Sequence, residues 1–350
     1  MKFNILNIQI NKNDSIFEAL QKLNKTQDVS RLILFVIDAN GSVLGSLTDG
    51  DIRRSLANEG DLMKKVGDIC FKNFIFEYDK KEFLNLKSYI KKDIKILPIL
   101  DKHKRLIDII DLEKTRSILP LECVIMAGGR GKRLSPLTDS VPKPMLLLGD
   151  KPIIEHNIDR LISFGIKKIY ISVKYLGKQI ESYFGDGSSK GIQIEYIWED
   201  EPLGTAGALS LVNDFKTDHI LLMNSDLFTN VDFEQMYLKL ISKNADMVIS
   251  STEFKVDVPF AIFDTENSKV KGFKEKPSYV YHSNAGVYIF KKEILDIIPK
   301  NKFIDITDVM DKLLAQGSEL IHNPIIGYWI DIGNPKDYKD AQESLKHFDS

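Results

Sequence analysis

The sequence predicts an α/β protein: a mostly parallel sheet covered by helices on both faces, preceded by a smaller, duplicated α+β region. Three observations carry this. From residue 121 onward, short apolar strands alternate with helix-patterned segments, the signature of a parallel sheet buried on both sides. Before it, two similar strand–turn–strand units lie about 63 residues apart, which indicates an internal duplication. Between the two regions stands Pro120, which interrupts regular structure and restrains the residue before it. The expected domains are therefore 1–118 and 121–350.

In the first region, residues 32–38 and 43–47 read as strands around a turn at Asn40-Gly41. Residues 96–101 and 106–110 repeat the pattern around a turn near Lys102-His103-Lys104, and each unit is expected to run into a helix-like stretch. Helical spacing also appears in Ile16, Leu20 and Leu23. In the second region, residues 123–126 form a short apolar strand that runs into glycines. Residues 152–164 read as a helix, with proline in the first turn and Gly165 just past the end. Strands are expected at 169–173, at 220–223 (ending in Asn224-Ser225-Asp226) and at 247–250. Ligands of such sheets bind beyond the carboxyl ends of the strands. The glycine loop and Asp226 both fall at such ends.

Bulk properties narrow the function classes. Apolar residues make up 43% and charged residues 28%, an ordinary globular balance. A net charge of −2, with basic residues scattered in short runs, gives no concentrated basic face and so no nucleic-acid partner. The two cysteines form no CxxC pair and no metal-ligand spacing, so no disulfide framework is expected and a reducing cytoplasm fits. No apolar run approaches the roughly 20 residues that span a bilayer, and the first residues lack the apolar core of a signal peptide. The expectation is a cytoplasmic protein with no membrane partner.

The chemistry concentrates in Gly128-Gly129-Arg130-Gly131-Lys132-Arg133-Leu134, followed by Pro142-Lys143-Pro144-Met145. Glycines let the backbone approach a triphosphate and turn N–H groups toward it. Gly128, Gly129 and Gly131 would do so here, while Arg133 and Lys143 neutralise phosphate oxygens. The loop is not a Walker motif, because no glycine stands five residues before Gly131, and Leu134 breaks a GxGxxG pattern.

These residues resemble the signature of the sugar-1-phosphate nucleotidyltransferases, GGxGxRLxPLT followed by PKPM, which stands here as Gly128 to Thr138 and then Pro142 to Met145. The resemblance runs from Leu121 to the C-terminus and implies a Rossmann-like, GT-A-like nucleotidyltransferase fold with a mostly parallel mixed sheet. It implies substrates GTP and a sugar 1-phosphate, with Mg²⁺ as cofactor. The segment Pro202-Leu203-Gly204-Thr205-Ala206-Gly207 resembles the loop that approaches the base, with Gly204 letting the base lie against backbone. Glu199 could accept from guanine N1–H and the exocyclic amine, which adenine cannot match; the alternative is a solvated loop acid. Asp226 and Asp331 resemble the family's metal-binding acids, and Mg²⁺ prefers carboxylates plus phosphates and water. Glu275 and Lys276 resemble the EKP element that holds sugar hydroxyls and sugar phosphate. Asn284 belongs to a segment like the NAG element that continues the sugar pocket. Where many members carry Tyr-Gly after a proline, this chain has Pro259-Phe260-Ala261, which leaves the sugar open.

The first region resembles a tandem pair of CBS motifs, a Bateman module. In the first unit, Thr48 would contact phosphate and Asp51 the ribose of an adenine nucleotide. In the second, Asp111 and Lys114 replace the expected threonine and acid, leaving at most one competent nucleotide site. A ligand-free module that joins the chain into a homo-oligomer through the CBS domains is the alternative. For the whole chain the resemblance points to guanylyltransferases of bacterial surface-sugar pathways. A mannose-1-phosphate guanylyltransferase and a non-catalytic nucleotide-sensing subunit remain as alternatives.

Overall fold

The computed structural model describes residues 5–25, 29–79 and 85–348. The chain divides into two compact units. One is Met1–Pro120 with Ile162–Gly165 and Ser188–Ile192; the other takes the rest of the chain from Leu121.

The N-terminal unit holds two three-stranded sheets: Gln9–Asn11, Ile33–Ile37 and Val43–Thr48, then Glu77–Tyr78, Ile96–Leu100 and Leu106–Asp111. In both, the first strand is parallel to the second and the third is antiparallel to it. The two hairpins share one register. Ile33 faces Thr48 and Ile96 faces Asp111, and a bulge follows Val36 in one and Ile99 in the other. Ser42 bridges Arg105, its own counterpart in the repeat, and Val43 N–H donates to Lys104 O at 2.9 Å. The duplication thus folds about a local pseudo-dyad. The apolar runs bury Leu34, Phe35, Leu47, Leu97 and Leu100 completely.

The repeats differ after their last strand. The first leads into helix Asp49–Glu59, capped reciprocally by Thr48 and Asp51. The helix-like stretch expected after residues 106–110 is absent; the chain makes a turn at 112–114 instead. The cause is local. Asp111 replaces Thr48 and cannot donate as a hydroxyl can. Its carboxylate accepts from Ser30 N–H at 3.0 Å, Ser30 hydroxyl at 2.7 Å and Glu113 N–H at 3.1 Å.

The C-terminal unit is built on seven strands in the order Gln193–Trp198, Lys168–Val173, Leu121–Met126, His219–Asn224, Ser278–Lys291, Met247–Asp257 and Leu320–Pro324. Ser278–Lys291 runs antiparallel to both its neighbours, and every other pairing is parallel. The central strands are continuous apolar runs because both faces are covered. Val124, Ile220, Leu222 and Phe290 pack against Ile306, Val309 and Leu313 of helix Ile306–Ala315. Helix Ile153–Ser163 buries Ile154, Ile158 and Leu161, one stripe at helical spacing. Among the described residues no helix is long and apolar enough to cross a membrane.

The strand order fixes where ligands bind. From Leu121–Met126 the chain proceeds to one side through Lys168–Val173 and Gln193–Trp198, then returns to the other side at His219–Asn224. The switch point lies between the 121–126 and 219–224 strands. Their register pairs Met126 with Asn224, so the glycine loop and Asp226 leave the sheet at one level.

Candidate active site

Five glycine-loop and cation positions meet the two acids at this switch point. The loop is tied to the acid's turn by Ser225 N–H, which donates to Met126 O at 3.2 Å. Gly131 has φ +65°, and a Cβ there would lie 2.9 Å from Lys143 Cβ, so the loop can pass only as glycine. Thr138 hydroxyl donates to Gly131 O at 2.9 Å, and Leu134, buried, pins the turn that carries Lys132 and Arg133. Gly129 faces open space, whereas a Cβ on Gly128 would come within 3.0 Å of Glu199 Oε1.

Lys143 rises from the short 3₁₀ turn Lys143–Met145 and is only 9% exposed. Its Nζ donates to Asp226 Oδ2 and lies 4.0 Å from Asp331 Oδ1. The two acids come from a two-stranded ladder, Leu227–Thr229 against Trp329–Asp331, in which Leu227 faces Asp331. Ile332 N–H donates to Asp226 O at 3.0 Å, which fixes the acids side by side. Burial, and then the Asp226 charge, push the Asp331 carboxyl above its usual range, partly offset by Lys143 and Arg133. Asp226 Oδ1 is buried without a hydrogen-bond partner. A buried carboxylate oxygen left unpaired is costly, and a cation satisfies it. With a second acid beside it, the donor set fits a divalent ion of the Mg²⁺ kind, which takes one or two carboxylates and leaves its other positions to phosphates and water.

The resulting cavity, of about 270 Å³, is lined by Gly129, Gly131, Lys132, Arg133, Lys143, Ser225, Asp226 and Gly333, with Met126 and Pro144. Lys132, Ser225 and Gly333 were not singled out in the sequence. Lys132 was legible as a third cation in the loop, whereas Gly333 gains its place from Arg133, whose guanidinium would lie 3.3 Å from a Cβ there. Asn157 was also missed. It is 3% exposed on helix Ile153–Ser163, and its amide donates to Ser225 O at 3.3 Å and Leu227 O at 2.9 Å, clamping the acid's turn from below.

Glu199 is not a solvated loop acid: it is 9% exposed. Its Oε1 accepts from Ser172 hydroxyl and its Oε2 from Leu203 N–H at 2.9 Å. The carboxylate therefore shapes the 199–203 turn beside Gly128. Gly204, at φ +76°, is required by close approach to the chain itself, since a Cβ would sit 2.6 Å from Ile304 O. Asn284 Oδ1 accepts from Gly286 N–H at 3.0 Å, and its amide donates to Tyr288 hydroxyl at 2.8 Å. Trp329 indole N–H donates to Ala285 O at 2.9 Å, so this segment adjoins the strand that carries Asp331. Glu275 and Lys276 are exposed and do not line the cavity. In the N-terminal unit, Thr48 hydroxyl donates to Asp51 Oδ2 at 2.6 Å and Arg54 to Asp51 Oδ1 at 2.6 Å.

A parallel-sheet switch point that gathers a glycine loop, three cations and two acids defines a nucleotide-handling α/β protein. The sequence pattern of the nucleotidyl transferase family matches residues 122–347, and the chain belongs to that family. A CBS domain matches residues 7–58. The chain is 33% identical over 231 residues to the mannose-1-phosphate guanylyltransferase of Mycobacterium tuberculosis, covering 64% of each chain. It is 34% identical over 239 residues to the D-glycero-alpha-D-manno-heptose 1-phosphate guanylyltransferase of Aneurinibacillus thermoaerophilus, covering 65% of this chain and all of that one. The solved structure of HddC from Yersinia pseudotuberculosis superposes with a TM-score of 0.51 at 28% identity, over 64% of this chain and 99% of HddC.

Proposed function

We propose that the chain is a sugar-1-phosphate guanylyltransferase that makes GDP-glucosamine, or a related GDP-sugar, from GTP and the sugar 1-phosphate with release of pyrophosphate. The observation that carries this is the convergence of Gly129, Gly131, Lys132, Arg133 and Lys143 on Asp226 and Asp331, with one Asp226 oxygen left for a cation. Asp226 and Asp331 would hold Mg²⁺, which when bound supplies positive charge against the phosphate oxygens.

In the reaction, a sugar-phosphate oxygen attacks the α-phosphorus in line. A new P–O bond forms, the α–β bridge breaks, and its electrons leave with pyrophosphate. No covalent enzyme intermediate is needed; positioning and charge neutralisation carry such transfers. Gly128, Gly129 and Gly131 present backbone to the triphosphate. Arg133, exposed at the cavity mouth, offsets charge on the departing pyrophosphate, and Lys143 holds the attacking phosphate near Asp226. Glu275, Lys276 and Asn284 would hold the sugar phosphate and sugar.

The guanine assignment draws on Glu199 beside the loop, on the names of the guanylyltransferase relatives, and on a related HddC structure complexed with GMP-PN. The glucosamine assignment draws on the pairing of a transferase with a CBS module, which resembles the glucosamine-1-phosphate guanylyltransferases of legionaminic acid biosynthesis. Residues 1–118 would form the tandem CBS pair, with Thr48 and Asp51 as ligands for an adenine nucleotide. Mannose 1-phosphate is the second reading, favoured by the Mycobacterium relative. A non-catalytic sensor is disfavoured, because the cations and both acids are all in place.

Pyrophosphate release, measured for each nucleoside triphosphate crossed with mannose-, glucose-, glucosamine- and heptose-1-phosphate, tests the reading. GTP with glucosamine 1-phosphate should give the highest kcat/KM. Pyrophosphate release with no pair at all would sink the transferase assignment, and preference for mannose 1-phosphate would replace the sugar.

A further inference from the structure

A second cavity, of about 710 Å³, lies on the seven-stranded sheet and shares no residue with the active-site cavity. Its volume falls in the range of about 300–1,000 Å³ typical of small-molecule sites. Its lining includes Glu122 and Lys168, near the starts of their strands and so at the ends opposite the glycine loop.

Two deeply buried polar side chains in this lining each keep an unused hydrogen-bonding atom. Glu122 is 5% exposed. Its Oε2 accepts from Lys216 N–H at 2.5 Å and Thr217 N–H at 3.3 Å, and its Oε1 accepts from no described residue. Tyr170 is 6% exposed, with its ring edge-on to Phe215 and beneath the Lys168 ammonium. Its hydroxyl has no hydrogen-bond partner among the described residues. Burial, and then the Glu122, Glu195 and Asp214 charges, push this phenol up to about 12, so it stays protonated and offers a donor at neutral pH. Buried polar atoms are normally paired. A donor and an acceptor left open in one cavity suit a group that accepts and donates at once, as a hydroxyl does.

The sheet edge adds backbone groups. Strand Gln193–Trp198 ends the sheet. Gln193 and Glu199 N–H donate to Lys167 O and Val173 O on the neighbouring strand's side, whereas Ile194 N–H turns the other way, to Asp186 O. By the two-residue alternation, Tyr196 and Trp198, which line the cavity, turn their backbone groups away from the sheet. So short a free stretch does not suit an added peptide strand, which usually runs about 5–6 residues. Charge excludes a phosphate. Both lysines of the lining are committed, Lys168 to Glu195 and Lys216 to Asp214, which leaves the Glu122 charge in excess. We propose that this cavity binds a neutral saccharide, one hydroxyl of which accepts from Tyr170 O–H and donates to Glu122 Oε1.

Saturation-transfer NMR of the full chain tests this with methyl α-glucoside, methyl α-mannoside, N-acetylglucosamine and maltose, and with glucose 6-phosphate as the charged comparison. At least one neutral sugar should bind the wild type, and bind Tyr170→Phe about fivefold to tenfold more weakly, the share of one hydrogen bond. The variant should melt at the wild-type temperature, because the hydroxyl it lacks has no partner in the protein. If it does not fold, Asn213→Ala, at an exposed position of the lining, should weaken the same sugar. Absence of binding by all four neutral sugars would overturn the proposal. So would binding that these variants leave unchanged, which would place the sugar elsewhere, or tighter, Tyr170-dependent binding of glucose 6-phosphate.

Discussion

Asp226→Asn isolates the charge of one carboxylate with almost no change of shape. In the wild type, Oδ2 accepts from the buried Lys143 and Oδ1 is buried without a partner. The amide oxygen of asparagine can still accept from Lys143, but its NH₂ group then takes the Oδ1 position. A donor would stand where a cation needs an acceptor. If this carboxylate carries the cation and the charge of the reacting phosphates, its loss should cost at least what one preorganised group supplies, about 2.7 kcal/mol or a hundredfold in kcat. Folding should persist. Breaking a buried pair outright costs about 3–5 kcal/mol, but the hydrogen bond survives here and Asp331 Oδ1 remains 4.0 Å from Lys143. A loss of about 2 kcal/mol, or ~4–8 °C in Tm for a unit of this size, is expected. Pyrophosphate release at saturating substrates, with a thermal melt of the same preparation, separates the two effects. Turnover within threefold of the wild type would refute the assignment of Asp226.

Three further outcomes follow from the geometry. Gly131→Ala places a Cβ 2.9 Å from Lys143 Cβ at φ +65°; about 1–2 kcal/mol of backbone strain should lower the Tm and kcat together, and an unchanged Tm would show that the loop adopts another path. Asn157→Ala removes two hydrogen bonds to the turn around Asp226; a loss of about 1–3 kcal/mol and a fall in kcat larger than any rise in KM are expected from steady-state assays, and full activity would deny Asn157 its positioning role. Burial, more than the nearby Lys291, holds the His219 imidazole below its usual range despite Asp218 and Glu293. The unfolded chain then binds more protons below about pH 6.5, so stability is present above that pH and lost as pH falls toward the lower folded value; denaturant melts near pH 7 and pH 5 should diverge less in His219→Gln.

What was legible in the sequence were features that fall on strand ends or repeat along the chain. The glycine loop and Asp226 each follow a short apolar strand, and parallel-sheet topology brings such ends together; Asp331 ends a short strand that pairs antiparallel with the one just after Asp226. The duplication was legible because both hairpins keep one register. Other features depend on neighbours that no local pattern announces. Glu199 reads as a surface acid until Ser172 and Leu203 close over it. Asn157 sits in an amphipathic helix where asparagine usually faces water, and only the fold turns it toward Ser225. The missing helix of the second repeat hinges on Ser30, distant in sequence, occupying the Asp111 carboxylate. The strand expected to end near Ser250 runs to Asp257, because its pairing with Ser278–Lys291 outlasts the sheet's covered area.

The level pairing of Met126 with Asn224 has a practical corollary. Side chains alternate between faces along a strand, so deleting or inserting one residue in either strand would swing its exit turn to the wrong side of the sheet. The loops beyond are held along their length as well, by the buried Leu134, by Thr138 on Gly131 O and by Lys143 on Asp226. Engineers who want a new sugar or base should therefore leave the two six-residue strands at their present lengths and keep Gly131, Arg133 and Lys143 where those strands deliver them.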